Sequence, residues 1–178
     1  MSEEVRVWFE KGLSLGKLGR YDEALECFDR ALEIDPRKWD VWINKGDCLL
    51  WLNRLDEAIQ CYDKALEIKP MAISVWGKKG TAFARLGKFE EAIQSWYELL
   101  SEQPREFFAL TWIGACFALM GGFTDAKRYI DRALEIDPNF PLALVVKAAL
   151  LKEQMGRHEE ARRDFEKIAK FHPEFYKP

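Results

Sequence analysis

Apolar residues recur along this chain with the spacing of a helix, and the whole pattern then recurs at a longer interval. Trp8, Gly12 and Leu15 stand at i, i+4 and i+7, one face of a helix, and Ala24, Phe28, Ala31 and Leu32 keep the same period in a second run. Each stretch therefore predicts a helical hairpin. Pro36, Pro70, Pro104 and Pro138 follow one another at intervals of 34 residues, and the segments between them repeat the same small, bulky and aromatic places. VWFEKGLSLGKLGRYDEALECFDRALEIDP is followed by VWINKGDCLLWLNRLDEAIQCYDKALEIKP and VWGKKGTAFARLGKFEEAIQSWYELLSEQP. A unit that cannot bury its apolar face alone, repeated in this way, predicts an array in which neighbours share one continuous core.

Each recurring place has a physical reading. Gly12, Gly46, Gly80 and Gly114 lie inside helices, where glycine costs about 1 kcal/mol against alanine, so a close approach by the facing helix and its alanines is expected. Gly19, Asn53, Gly87 and Gly121 suit a left-handed residue between the helices. Asp22, Asp56 and Thr124 are expected to cap the second helix, with Glu23, Glu57 and Asp125 favourable to its dipole. The prolines close each unit, since proline lacks a backbone donor and disfavours a helical residue before it. Lys11, Lys45, Lys79 and Lys147 are expected to lay their stems on apolar surface with the ammonium in water.

These places resemble the hallmark positions of the tetratricopeptide repeat (TPR). Trp8, Trp42, Trp76, Leu110 and Leu144 hold the large opening place, with Gly12, Gly46, Gly80, Gly114 and Ala148 four residues on. Leu15, Leu49, Phe83, Phe117 and Leu151 hold the next bulky place, and Tyr21, Leu55, Phe89, Phe123 and His158 the turn. Ala24, Ala58, Ala92, Ala126 and Ala161, then Phe28, Tyr62, Trp96, Ile130 and Phe165, mark the second helix. The resemblance implies an all-α, right-handed α-solenoid. It is divided as one domain, 1–178, with repeats at 5–38, 39–72, 73–106, 107–140 and 141–175, the fifth carrying a one-residue insertion within KEQMGR. That fifth unit reads as an end. Leu25, Ile59 and Ile93 give way to Lys127 and Arg162, and Leu134 to Ala169, while Phe165, Ile168, Phe171, Phe175 and Tyr176 stay apolar. Three expectations stand for this edge: the closing residues fold over it, another molecule covers it, or the chain continues in a longer protein.

Composition narrows the function classes. A net charge of -3, with 48% apolar and 32% charged residues, opposes a basic nucleic-acid footprint. No apolar run approaches the ~20 residues that span a bilayer, and MSEEVRVWF lacks the basic and apolar regions of a signal peptide. A cytoplasmic protein without membrane insertion is expected. Cys27, Cys48, Cys61 and Cys116 read as buried free thiols, and no CxxC pair or histidine cluster suggests a metal or cofactor. The paired acids recur at helix starts rather than converging on a nucleophile, so no enzyme is expected.

Function is then expected on a surface. The resemblance implies a concave groove lined by the first helices, holding a peptide or helix of a partner protein. Carried onto this chain, the groove takes Phe9 and Leu13 from the first repeat, Ile43, Asn44, Asp47 and Trp51 from the second, and Lys78, Thr81 and Arg85 from the third. Phe108, Trp112 and Leu119 come from the fourth, and Val145 and Val146 from the fifth. The clamp with which some TPR domains capture a C-terminal carboxylate would need donors where this chain has Phe9, Leu13, Asn44, Ser74 and Lys78, so that mode is not expected. Phe108, Trp112 and Leu119 are the expected anchors, with Asn44, Asp47, Lys78 and Arg85 orienting the ligand. The competing reading packs some of these aromatics between repeats. The rival function is self-assembly, end to end or by insertion of the terminal segment into a neighbour's groove, as a homo-oligomer through the C-terminal edge; a further alternative is the regulatory TPR part of a larger complex.

Overall fold

The computed structural model describes residues 2–154, 156–157 and 159–160. Among them the chain forms helices α1 (Glu3–Lys17), α2 (Tyr21–Ile34), α3 (Trp39–Trp51), α4 (Leu55–Ile68) and α5 (Ile73–Arg85). There follow α6 (Phe89–Glu102), α7 (Phe107–Leu119), α8 (Phe123–Ile136) and α9 (Pro141–Gln154), with no strand among the described residues. Two compact units make up the chain, residues 1–95 and 96–178.

In the first unit α1 pairs with α2 and α3 with α4, while α2 also packs on α3 and α4 on α5. Val5, Ala24, Phe28, Val41, Leu49, Tyr62 and Val75 fill the core at 1% exposure or less. At Gly12 and Gly46 the close approach is made by a ring, and at Gly114 by Ile130 together with the carbonyl of the facing Ala126. A Cβ on Gly12 would lie 2.6 Å from Phe28 Cε1, and one on Gly46 2.6 Å from Tyr62 Cε1. Lys45 and Lys79 lie over apolar rings as expected, but each ammonium meets an aspartate rather than reaching water alone. Lys45 Nζ lies 5.5 Å from the Trp42 ring centroid and 2.5 Å from Asp29, and Lys79 Nζ lies 5.1 Å from that of Trp76 and 2.6 Å from Asp63. Each lysine thus ties the first helix of its hairpin to the second helix of the one before.

The hairpins close as expected at the left-handed residue, with φ of 75° at Gly19, 60° at Asn53, 76° at Gly87 and 81° at Gly121. Next to each of these a backbone N–H reaches back five residues: Arg20 to Leu15, Arg54 to Leu49, Lys88 to Phe83 and Gly122 to Phe117. After α9 the corresponding bond runs from Arg157 to Leu151, a span of six residues, and Gly156 takes φ 60°. The capping expectation is corrected. The second helices begin two residues earlier than those caps would require, at Tyr21, Leu55 and Phe123, so Asp22, Asp56 and Thr124 stand inside the first turn. The N-cap residues are Arg20, Arg54 and Gly122, and none makes a side-chain cap bond. Arg20 and Arg54 instead grip Glu23 and Glu57 three residues on, and these bonds hold both carboxyls below their ordinary pKa.

The second unit joins α7 to α8 and α9 to both. Trp96, Leu110, Ile113 and Ile130 are fully buried. Phe117 stacks on Tyr129 at 5.7 Å, and Phe107 meets Phe140 edge-on at 4.9 Å. The readings placed on His158, Ala161, Arg162, Phe165, Ile168, Ala169, Phe171, Phe175 and Tyr176, and with them the C-terminal edge, lie outside the described residues.

Candidate functional site

Each unit carries a cleft on its first helices, and the two are built from equivalent places of the repeat. In the first unit α1 and α3 flank a cleft of about 260 Å³ lined by Leu13, Gly16, Lys17, Tyr21, Asn44, Asp47, Cys48 and Trp51, among others. Trp51, 70% exposed, stacks on Tyr21 with ring centroids 6.2 Å apart and planes 2° from parallel. Phe9 is half-buried against the ring of Phe28 at 6.1 Å. Ile43 is a correction. It is buried in the core cluster that holds Val41 and Leu49, because an apolar side chain gains by leaving water.

The polar residues of this face are already engaged with one another. Asp47 accepts from Tyr62 Oη at 2.9 Å and from Lys78 Nζ at 2.7 Å and 2.9 Å, tying α3 to α4 and α5. Burial, and then the neighbouring Asp47 carboxylate, push the Tyr62 phenol well above the usual tyrosine range. Arg85 donates to the Leu50 carbonyl at 2.7 Å and to Asn53 Oδ1 at 2.9 Å, so it closes the C-terminal end of α3. Asn44 donates to the Asp40 carbonyl at 2.8 Å, and the Thr81 hydroxyl to that of Gly77 at 3.0 Å. These groups brace the face. Burial also raises the Cys48 and Cys61 thiols to about 11, which keeps them protonated and unreactive near neutral pH.

In the second unit the cleft is about 500 Å³ and lined by apolar residues, Ala115, Ala118, Leu119, Phe123, Val145, Val146, Ala149 and Leu150. Where the first cleft has Lys17, Asn44 and Asp47, the same repeat places here hold Leu119, Val146 and Ala149. Leu119 is 70% and Val145 37% exposed. Phe108 and Trp112 lie outside this lining. Trp112 is half-buried and stacks on Trp96 at 6.1 Å, with Phe108 edge-on against it at 6.0 Å, and its indole Nε1 is buried without a hydrogen-bond partner among the described residues. Sequence reasoning missed the part played by the turn aromatics. Tyr21 and Phe123 occupy the same repeat place and each lines a cleft, a recurrence visible in the sequence but attributed there to the turn alone.

A tetratricopeptide-repeat family profile matches residues 9–72 and again 78–141, and a second such profile matches 143–174. The chain belongs to the tetratricopeptide repeat family. Solved TPR-like structures extend the agreement in fold. MamA 41-end from Desulfovibrio magneticus RS-1 superposes with a TM-score of 0.88 at 15% identity, covering 98% of both chains. A second MamA crystal structure gives 0.83 at 18% identity over 96% of this chain and 92% of the other, and MamA of AMB-1 gives 0.75 at 24% over 97% and 93%. At such identities the likeness concerns the all-α tandem-hairpin solenoid fold alone. No curated protein matches the sequence. TPR proteins are in general non-catalytic scaffolds for protein interactions, and membership supports that role in its general form. Among the described residues no helix is long and apolar enough to cross a membrane.

Proposed function

We propose that this chain is a non-catalytic scaffold that holds a peptide or helix of a partner protein against the first helices of its hairpins, and that it does not bind nucleic acid. The observation that carries the reading is the cleft between α7 and α9 lined by apolar residues, at the place where polar side chains take part between α1 and α3. A segment with an apolar face would remove Leu119, Val145 and Val146 from water. The gain follows the apolar area covered, about 25 cal/mol per Å² before the costs of association. Asp47, Lys78 and Arg85 serve this reading by fixing the spacing of α3 and α5 rather than by meeting the ligand.

Peptide-library selection on the immobilised protein tests it. Sequences with an apolar face should be enriched and should perturb amides of α7 and α9. Leu119→Asp, at a residue exposed enough to leave folding intact, should weaken the selected peptide by more than about tenfold. Enrichment of basic or featureless peptides, or unchanged affinity in the folded variant, would remove the support.

A further inference from the structure

We propose that the outer face of α1 is a second docking site, one that receives a partner helix presenting an apolar, an acidic and an apolar residue at i, i+4 and i+7. Val7, Lys11, Ser14 and Leu18 stand at i, i+4, i+7 and i+11 and form one stripe. Val7 is 56% and Leu18 72% exposed. At the equivalent places of α3 and α5, Val41, Val75 and Ala82 are fully buried and Cys48 is 5% exposed. The stripe is therefore a packing face in the other first helices of this unit and stands bare on α1.

The internal joints show what such a face takes. α2 packs on α3 and α4 on α5, and in both joints a lysine lying over a tryptophan ring receives an aspartate, Asp29 on Lys45 and Asp63 on Lys79. Four residues before each aspartate and three after it stand buried aliphatics, Leu25 and Leu32 in one helix, Ile59 and Leu66 in the other. On α1 the same half of the joint is ready. Lys11 Nζ lies 5.2 Å from the Trp8 ring centroid, and no ion pair involves it among the described residues.

Charge and pattern choose the occupant. A second copy meeting face to face would bring Lys11 against Lys11. The last repeat of this chain has Arg162, Glu166 and Ala169 at the three places, so it keeps the acid and loses both aliphatics. The fitting occupant is an amphipathic helix of another protein with the α2 pattern.

The probe is the peptide YDEALESFDRALEI, residues 21–34 with Cys27→Ser, stapled through its exposed Glu26 and Arg30 positions and titrated into the ¹⁵N-labelled full chain. Amide shifts are expected along α1 around Val7, Lys11, Ser14 and Leu18. Lys11→Glu should weaken binding about fivefold, and the same peptide carrying Asp29→Lys should recover it on that variant. Val7→Asp should weaken both. An absence of shifts at saturating peptide, or shifts confined to α3 and α5, would overturn the proposal. So would concentration-dependent self-association of the free chain that Lys11→Glu abolishes, since the face would then belong to a second copy.

Discussion

Single glycines show how tightly a residue's role follows from its neighbour. Gly46 and Gly16 both lie in first helices, and propensity alone would favour alanine at either. At Gly46 a methyl group would meet Tyr62 Cε1 at 2.6 Å and Cδ1 at 3.0 Å, against a ring that is fully buried and held by Asp47 through its hydroxyl. The ring cannot yield. Gly46→Ala should therefore destabilise by about 1–3 kcal/mol through overpacking. At Gly16 the added methyl would meet only Cys48 Sγ at 3.7 Å, an ordinary contact, so Gly16→Ala should stabilise by up to about 1 kcal/mol. Urea unfolding of the two variants decides the point, and shifts of the same sign would contradict it. The recurrence of small residues made the place of Gly46 legible in the sequence, whereas Gly16 has Leu50 at the same place of the next repeat. The identity of the intruding group was not legible, because a 34-residue period says which helices face each other and not which side chain crosses the gap.

At the scale of the element, the turns were legible and the caps were not. Gly19, Asn53, Gly87 and Gly121 have left-handed φ because a helix that stops and reverses within a few residues needs one such residue. Asp22 and Asp56 looked like caps, yet the helix begins two residues earlier and a bidentate arginine pair occupies its first turn. Helix boundaries shift by a residue at little cost, so pattern fixes an element more firmly than its ends. The joints between elements were the least legible. Asp47, Lys78 and Arg85 were expected to orient a ligand, and the pattern gave no sign that they also bond across helices, Asp47 to Tyr62 and Lys78, and Arg85 to the end of α3. Asp47→Ala should cost about 1–3 kcal/mol by leaving the Tyr62 hydroxyl and Lys78 unpaired. Adding Tyr62→Phe should recover part of that loss, since the stranded donor is then gone. A double-mutant cycle from thermal or urea melts measures the coupling, and strict additivity of the two changes would count against the network.

At the scale of the whole molecule, a chain of hairpins bonded mainly to their neighbours need not lose its structure all at once. Stability in such an array is close to a sum of repeat and joint terms, and the chain here divides into two compact units at Ser95 and Trp96. Damage in one unit should then stay largely in it. Leu110 is fully buried in the second unit, and Leu110→Ala should cost about 2–5 kcal/mol there. Hydrogen exchange read by mass spectrometry should show faster exchange through α7, α8 and α9, while α1 to α4 keep most of their protection. An equal loss from α1 to α9 would mean one cooperative block and would remove the basis for treating the units apart. The distinction bears on function, because α7 and α9 carry the apolar cleft while α1 carries the bare stripe with Lys11. If the units hold their structure separately, a lesion that abolishes binding at the cleft leaves the α1 face competent, and a scaffold of this kind can lose one partner without losing the other.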